Sequence, residues 1–171
     1  GNEERPDIED YLSSVQMGLW MPLSRAHGKT PREPWQYGDM ALKEVKKWIN
    51  FRHRLVPYLY HAACQSHQSG IPMIRPLVME YPKDPIAKIQ NLSYMLGDAL
   101  LISPGFDRDE YELYLPEGRW QDIESKEVYE GMTFVHIENK AFADGGTSLR
   151  VFQKEGTSIP LLAQKEVMHV P

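Results

Sequence analysis

Apolar residues in the first half of the chain recur at helical spacing, whereas those in the second half come in short runs broken by turn residues. Pro6 and Asp7 open a helix that carries Tyr11, Leu12 and Val15 to about Met17, with proline at its first position and acids in its first turn. Residues 19–23 form a short apolar run, predicted as a buried strand with Pro22 at its end. Residues 24–38, rich in glycine, proline and charge, read as a loop. Asp39 is predicted as the N-cap of a long helix, along which Met40, Val45, Trp48, Ile49, Leu55, Val56, Leu59, Ala62 and Ala63 fall near helical spacing. Pro57 should kink or divide that helix, and Gly70 should stop it. Residues 71–79 read as a strand whose two prolines suit a sheet edge or a barrel end. Asp84-Pro85 caps a further short helix, with Ile86, Ile89 and Leu92 on one face, ending at Gly97.

From Ala99 the character changes. The pattern predicts strands at 99–102, 111–115, 128–129, 132–137, 149–152 and 158–162, with a turn at 116–118 and a loop at 143–148. Many short strands joined by turns point to an antiparallel sandwich or roll. The expected fold class is α+β, with a mainly helical unit over 1–97 and an antiparallel β-unit over 98–171.

Composition narrows the function more than the fold. With 171 residues, 42% of them hydrophobic and 25% charged, the chain can bury a core or two small ones. A net charge of −5 and the lack of a dense basic run weigh against nucleic acid or an anionic membrane as partner. No apolar stretch approaches the ~18 residues of a membrane-spanning helix. The charged start, Gly1-Asn2-Glu3-Glu4-Arg5, does not read as a signal peptide; the compartment stays open, with the cytoplasm slightly favoured. Cys64 is the single cysteine, so no internal disulfide is expected. His53, His61 and His67 on the long helix, and the isolated His136 and His169, have no acid or cysteine at metal-ligand spacing. No metal or cofactor is expected.

The richest chemistry is Leu23-Ser24-Arg25-Ala26-His27-Gly28, followed by Pro31-Arg32-Glu33-Pro34-Trp35. An Arg and a His two apart, between an apolar run and a broken loop, aim two polar donors into a cleft. Taken bare, His27 reads rather as a loop histidine with a structural hydrogen bond, and Arg25 as a candidate brace on Glu33. Trp35 and Trp20 offer flat apolar ring faces to a ligand, with core burial at least as good a reading for Trp20. Arg75, between Ile74 and Pro76, is expected to be buried against a carboxylate.

Together with Arg52 through Tyr60, Met73 through Leu77, Gly97 through Leu101, Tyr114-Leu115-Pro116, Trp120 and Val151 through Pro160, this stretch resembles glycoside hydrolase family 31 over nearly the whole chain. That family holds α-glucosidases and α-xylosidases, and Pro31 through Trp35 is similar to its α-xylosidase-like branch. One departure concerns turns: where the family usually has Thr-Gly and Gly-Gly after its Trp-x-Asp, this chain has Ser125-Lys126 and Glu130-Gly131.

The resemblance implies the last part of a (β/α)8 barrel followed by a β-sandwich domain. A retaining glycosidase needs two carboxylates about 5–5.5 Å apart. In this family both are aspartates on earlier barrel strands, and no stretch here resembles either motif. The chain alone is therefore expected to be inactive, a fragment of a retaining enzyme for terminal α-linked glucose or xylose. His27, Arg25 and Trp35 are its implied substrate-binding residues. Its implied partners are an α-glucoside or α-xyloside and the remainder of the same catalytic domain. The broad apolar coverage of the 39–69 helix predicts burial against that remainder, or self-association in its absence. The rival reading is a stand-alone carbohydrate-binding or scaffold module, which would carry a polar outer face there.

Overall fold

A computed structural model of the chain describes residues 5–105, 109–139, 142, 146 and 149–163. It is a small α+β structure with antiparallel sheets. Helix α1 spans Ile8–Leu19, capped by Asp7, whose carboxylate accepts from the Asp10 N–H at 2.9 Å. Pro6 thus lies just outside the helix, not at its first position. The strand expected at 19–23 does not form. Leu19 closes the helix, Trp20 is its C-cap, and Leu23 is 85% exposed. A short apolar run reads the same at a helix end as in a strand, and no strand pairs with it among the described residues.

A 3-10 turn at Pro34–Tyr37 leads into α2, Asp39–Arg54. Gly38, not Asp39, is the N-cap; Asp39 is the first helical residue, where its charge still favours the helix dipole. Pro57 divides the predicted long helix, since it has no N–H to continue the ladder. Helix α2 ends at Arg54, Leu55 is the buried joint, and α3 runs Val56–Ser69. Gly70 ends α3 in the left-handed conformation, φ 74°.

Only Ile74–Pro76 of the 71–79 run is strand (β1), and Leu77–Glu80 is one helical turn (α4). The segment after Asp84 is a turn, not a helix. Its carboxylate accepts from the N–H groups of Ile86 and Ala87 at 2.8 and 3.2 Å, while Tyr114 donates to its other oxygen at 2.6 Å. Strands β2 (Tyr94–Leu96), β3 (Leu100–Pro104), β4 (Glu110–Leu115), β5 (Arg119–Asp122), β6 (Val128–Glu130), β7 (Thr133–Glu138) and β8 (Leu149–Lys154) follow. The sequence reading missed β2 and β5. The stretch 158–162 is not a strand. Leu162 instead exchanges two hydrogen bonds with Arg54 at the end of α2, its N–H to the backbone carbonyl at 2.9 Å and its own carbonyl to Arg54 Nε at 3.0 Å.

Six strands pair in the order β1-β2-β3-β8-β5-β6, and β4 pairs with β7. All pairings are antiparallel, and β1 lies at an edge. One face of the large sheet, through Met95, Leu101, Trp120 and Phe152, shares a core with Tyr111, Leu113, Leu115, Val135 and Ile137 of the small sheet. The other face, through Tyr94, Leu96, Leu100, Ile102, Leu149 and Val151, packs against Trp20, Leu55 and Tyr58. Burial on both faces explains why 99–102 reads as an unbroken apolar run. The division expected at Gly97 falls inside the β2–β3 hairpin, because β1 and β2 are bonded into the same sheet as β3. Lys126 holds φ 67°; its N–H donates to the Asp122 carbonyl at 3.0 Å and its ammonium to that of Ile123 at 2.5 Å.

Candidate functional site

The loop over 20–38 is built from both helices that flank it. Tyr11, one turn into α1, donates its hydroxyl to the Arg32 carbonyl at 2.9 Å and stacks on Tyr37 with ring centres 3.7 Å apart. Arg5 lies over the other side of Tyr37, 4.3 Å from its ring centre. Arg52, in the last turn of α2, donates to the carbonyls of Leu19 and Pro22, the second at 3.0 Å. Trp20 is buried against Phe51, ring centres 5.6 Å apart, so its role here is core.

Between these anchors, Arg25 and His27 are exposed, and Trp35 on the 3-10 turn is 62% exposed. None of the three side chains makes a hydrogen bond or ion pair among the described residues, so Arg25 does not brace Glu33. An open cleft of about 320 Å³ is lined by Ala26, Gly28, Lys29, Thr30, Pro31, Arg32 and Glu33, and neither Arg25 nor His27 is among its lining residues. The Thr30 hydroxyl and Arg32 Nε are buried in that loop without a hydrogen-bond partner.

The other candidates have internal work. Arg75 is buried and pairs with Glu80 at 2.8 Å, while its Nε donates to the Pro72 carbonyl at 2.9 Å. The expected carboxylate is thus supplied by the chain itself. Asp122, buried at the end of β5, holds a turn by accepting from the Glu124 and Ser125 N–H groups at 2.7 and 3.1 Å. Asp7 caps α1, whereas Asp84 holds a turn and starts no helix, unlike the cap expected there. Asp107 and His169 lie outside the described residues. No three His, Cys, Asp or Glu side chains converge to hold a metal among the described residues, and no helix there is long and apolar enough to cross a membrane.

The outer face of β4–β7 sets His136 among Glu110, Glu112 and Glu138. His136 Nδ1 lies 2.9 Å from Glu112, and Nε2 lies 3.6 Å from Glu110. The hydrogen bond to Glu112, then the charges of Glu112, Glu110 and Glu138, outweigh desolvation and raise the imidazole above its ordinary 6.5. A raised pKa in the folded state stabilises below pH 6.5, and that contribution disappears as pH climbs through the folded value. The stability difference between the parent and His136→Gln should therefore be largest below pH 6.5 and shrink above it. Urea titrations across pH, with NMR titration of His136, test this; a midpoint at or below 6.5 contradicts it.

Two family models together cover most of the chain. The "Glycosyl hydrolases family 31 TIM-barrel domain" matches residues 2–62, and the "Glycosyl hydrolase family 31 C-terminal domain" matches 70–159. The chain belongs to glycoside hydrolase family 31. It is 32% identical to the neutral α-glucosidase AB of Homo sapiens, over 92% of this chain and 17% of that protein. It is 31% identical to the α-xylosidase of Saccharolobus solfataricus, over 96% of this chain and 22% of that protein. A Flavobacterium johnsoniae family 31 dextranase, solved in complex with glucose, superposes with a TM-score of 0.80 at 32% identity, covering 92% of this chain and 21% of the dextranase. The chain thus spans no more than 22% of the length of these relatives.

Proposed function

We propose that this chain is part of a retaining α-glycosidase that hydrolyses terminal α-linked glucose or xylose. Its helical half would complete a (β/α)8 barrel, and its two sheets would form the sandwich that buttresses the barrel. Continuity of the sheet from β1 onward supports a boundary near Gly70 in place of Gly97. The two catalytic carboxylates would come from the remainder of the catalytic domain, since the described Asp7, Asp84 and Asp122 are engaged in caps and turns.

The observation that carries this reading is the loop. His27 and Arg25 are presented to solvent without internal partners, on a segment held firmly at both ends. A neutral imidazole suits a sugar hydroxyl, donating from one nitrogen and accepting at the other. We assign His27, with Arg25 and Trp35 beside it in sequence, to contact with the sugar. The rival module would carry a polar outer helical face. Instead Leu42, Ile49, Val56 and Tyr60, spaced to share a stripe, are 37, 37, 48 and 72% exposed. That stripe supports packing of α2 and α3 against the rest of the domain, with self-association when that is missing.

The test is His27→Ala in the full-length protein that contains this chain. With p-nitrophenyl α-glucoside or α-xyloside, kcat/KM should fall about a hundredfold, ~2.7 kcal/mol of transition-state stabilisation, at unchanged Tm. Unaltered hydrolysis would remove His27 from the pocket. A folded parent inactive on α-glycosides would overturn the enzyme reading itself.

A further inference from the structure

We propose that Arg52 is a positioning residue, whose guanidinium sets where His27 sits by gripping the root of its loop. This rests on the reading that His27 contacts the sugar. Arg52 is partly buried, and burial lowers its pKa, yet no carboxylate pairs with it among the described residues. Its two terminal nitrogens go instead to main-chain carbonyls, of Leu19 and Pro22. Leu19 is the last residue of α1, so its carbonyl has no helical N–H to accept from. A guanidinium there satisfies an orphan acceptor and places a cation at the negative end of the helix dipole. The second bond reaches past the helix and fixes the direction in which the chain leaves for Arg25 and His27.

The grip needs a planar fork. A lysine ammonium keeps the charge but cannot span two carbonyls in a fixed geometry. Packing alone does not replace it, because from Pro22 to Lys29 the loop is exposed throughout. The far end is held separately, by Tyr11 on Arg32. Arg54, two residues on in α2, faces the other way and binds Leu162. It is therefore the natural control, an arginine in the same helical turn with no bond to the loop.

The experiment is a double-mutant cycle of Arg52→Lys and His27→Ala in the full-length protein, read by kcat/KM on the α-glycoside it hydrolyses and by amide hydrogen exchange over 20–38. Arg52→Lys should lower kcat/KM roughly tenfold to a hundredfold, the usual consequence of a displaced contact, and speed exchange in the loop. On a His27→Ala background, the same change should cost nothing more. Arg54→Lys should leave loop exchange as in the parent. Losses that add, or loop exchange unmoved by Arg52→Lys, would overturn the proposal while His27 keeps its role. If Arg52→Lys is too unstable to assay, Arg52→Gln carries the same cycle. A silent His27→Ala overturns the sugar-contact reading and this proposal with it; faster loop exchange would then mark Arg52 as a purely structural anchor.

Discussion

Trp120→Ala should cost the chain about 3–5 kcal/mol of unfolding free energy, much of what a domain of this size has to lose. Trp120 is 0% exposed, in the core between the two sheets, among Leu101, Leu113, Leu115 and Phe152. Its removal leaves a void that rigid strands on both sides cannot close. It also orphans the Pro116 carbonyl, which accepts from the indole Nε1 at 2.8 Å and shapes the turn between β4 and β5. The same turn receives Gly131, whose N–H donates to the Gly118 carbonyl at 2.6 Å. Loss of Trp120 should therefore loosen β5, β6 and the turn together. Urea unfolding followed by circular dichroism measures the effect. Trp120→Phe, which keeps most of the volume but not the hydrogen bond, should cost about 1–2 kcal/mol. A change below 1 kcal/mol for Trp120→Ala would mean that the sheets do not share this core.

Gly97→Ala should be the most damaging change of a single methyl group where helices meet sheet, at about 3 kcal/mol. Gly97 holds φ 64°, a region that costs an L residue about 1–2 kcal/mol. An added Cβ would lie 2.4 Å from the Tyr58 hydroxyl oxygen and 3.0 Å from its Cζ. Tyr58 cannot step aside cheaply. It is 1% exposed, donates to the Leu96 carbonyl at 2.5 Å and accepts from the Ala99 N–H at 3.2 Å. Burial pushes its phenol up to about 12, so it stays a donor across the working pH range. Tyr58→Phe alone should cost about 1–2 kcal/mol by orphaning both backbone groups. Since the shortened ring clears part of the clash, the double variant should cost less than the sum of the two singles. Additive losses would show that Gly97 and Tyr58 do not meet.

Both positions show how far one sequence reaches. Gly97 was legible as an interruption, yet as the end of a helix. That it turns a hairpin around a tyrosine from α3 depends on a contact between residues far apart in the chain. Strand β2 was hidden for a related reason: Tyr94, Met95 and Leu96 are too few to establish a period. They are strand because β1 and β3 offer N–H and C=O groups on either side. Strand β5 escaped notice because Arg119 and Gln121 are polar; only the alternation of Trp120 and Asp122 into the core marks it. The misread 19–23 and 158–162 runs carry apolar residues without a partner strand among the described residues.

What the sequence determined by itself is what local chemistry decides: the helix start near Asp7, the break at Pro57, the stop at Gly70, the buried run of β3 and the separation of helices from strands. The Arg25-x-His27 loop and its neighbouring motifs also pointed to the family that the comparisons establish. What only the tertiary structure decided is where those pieces are held. Arg52 on Leu19 and Pro22, Tyr11 on Arg32, Tyr58 under Gly97 and Arg75 on Glu80 are pairings of side chains with distant backbone or with neighbours across a turn. No periodicity encodes them, because a hydrogen bond between distant residues is specified by the packed fold and by nothing in the residues that lie between.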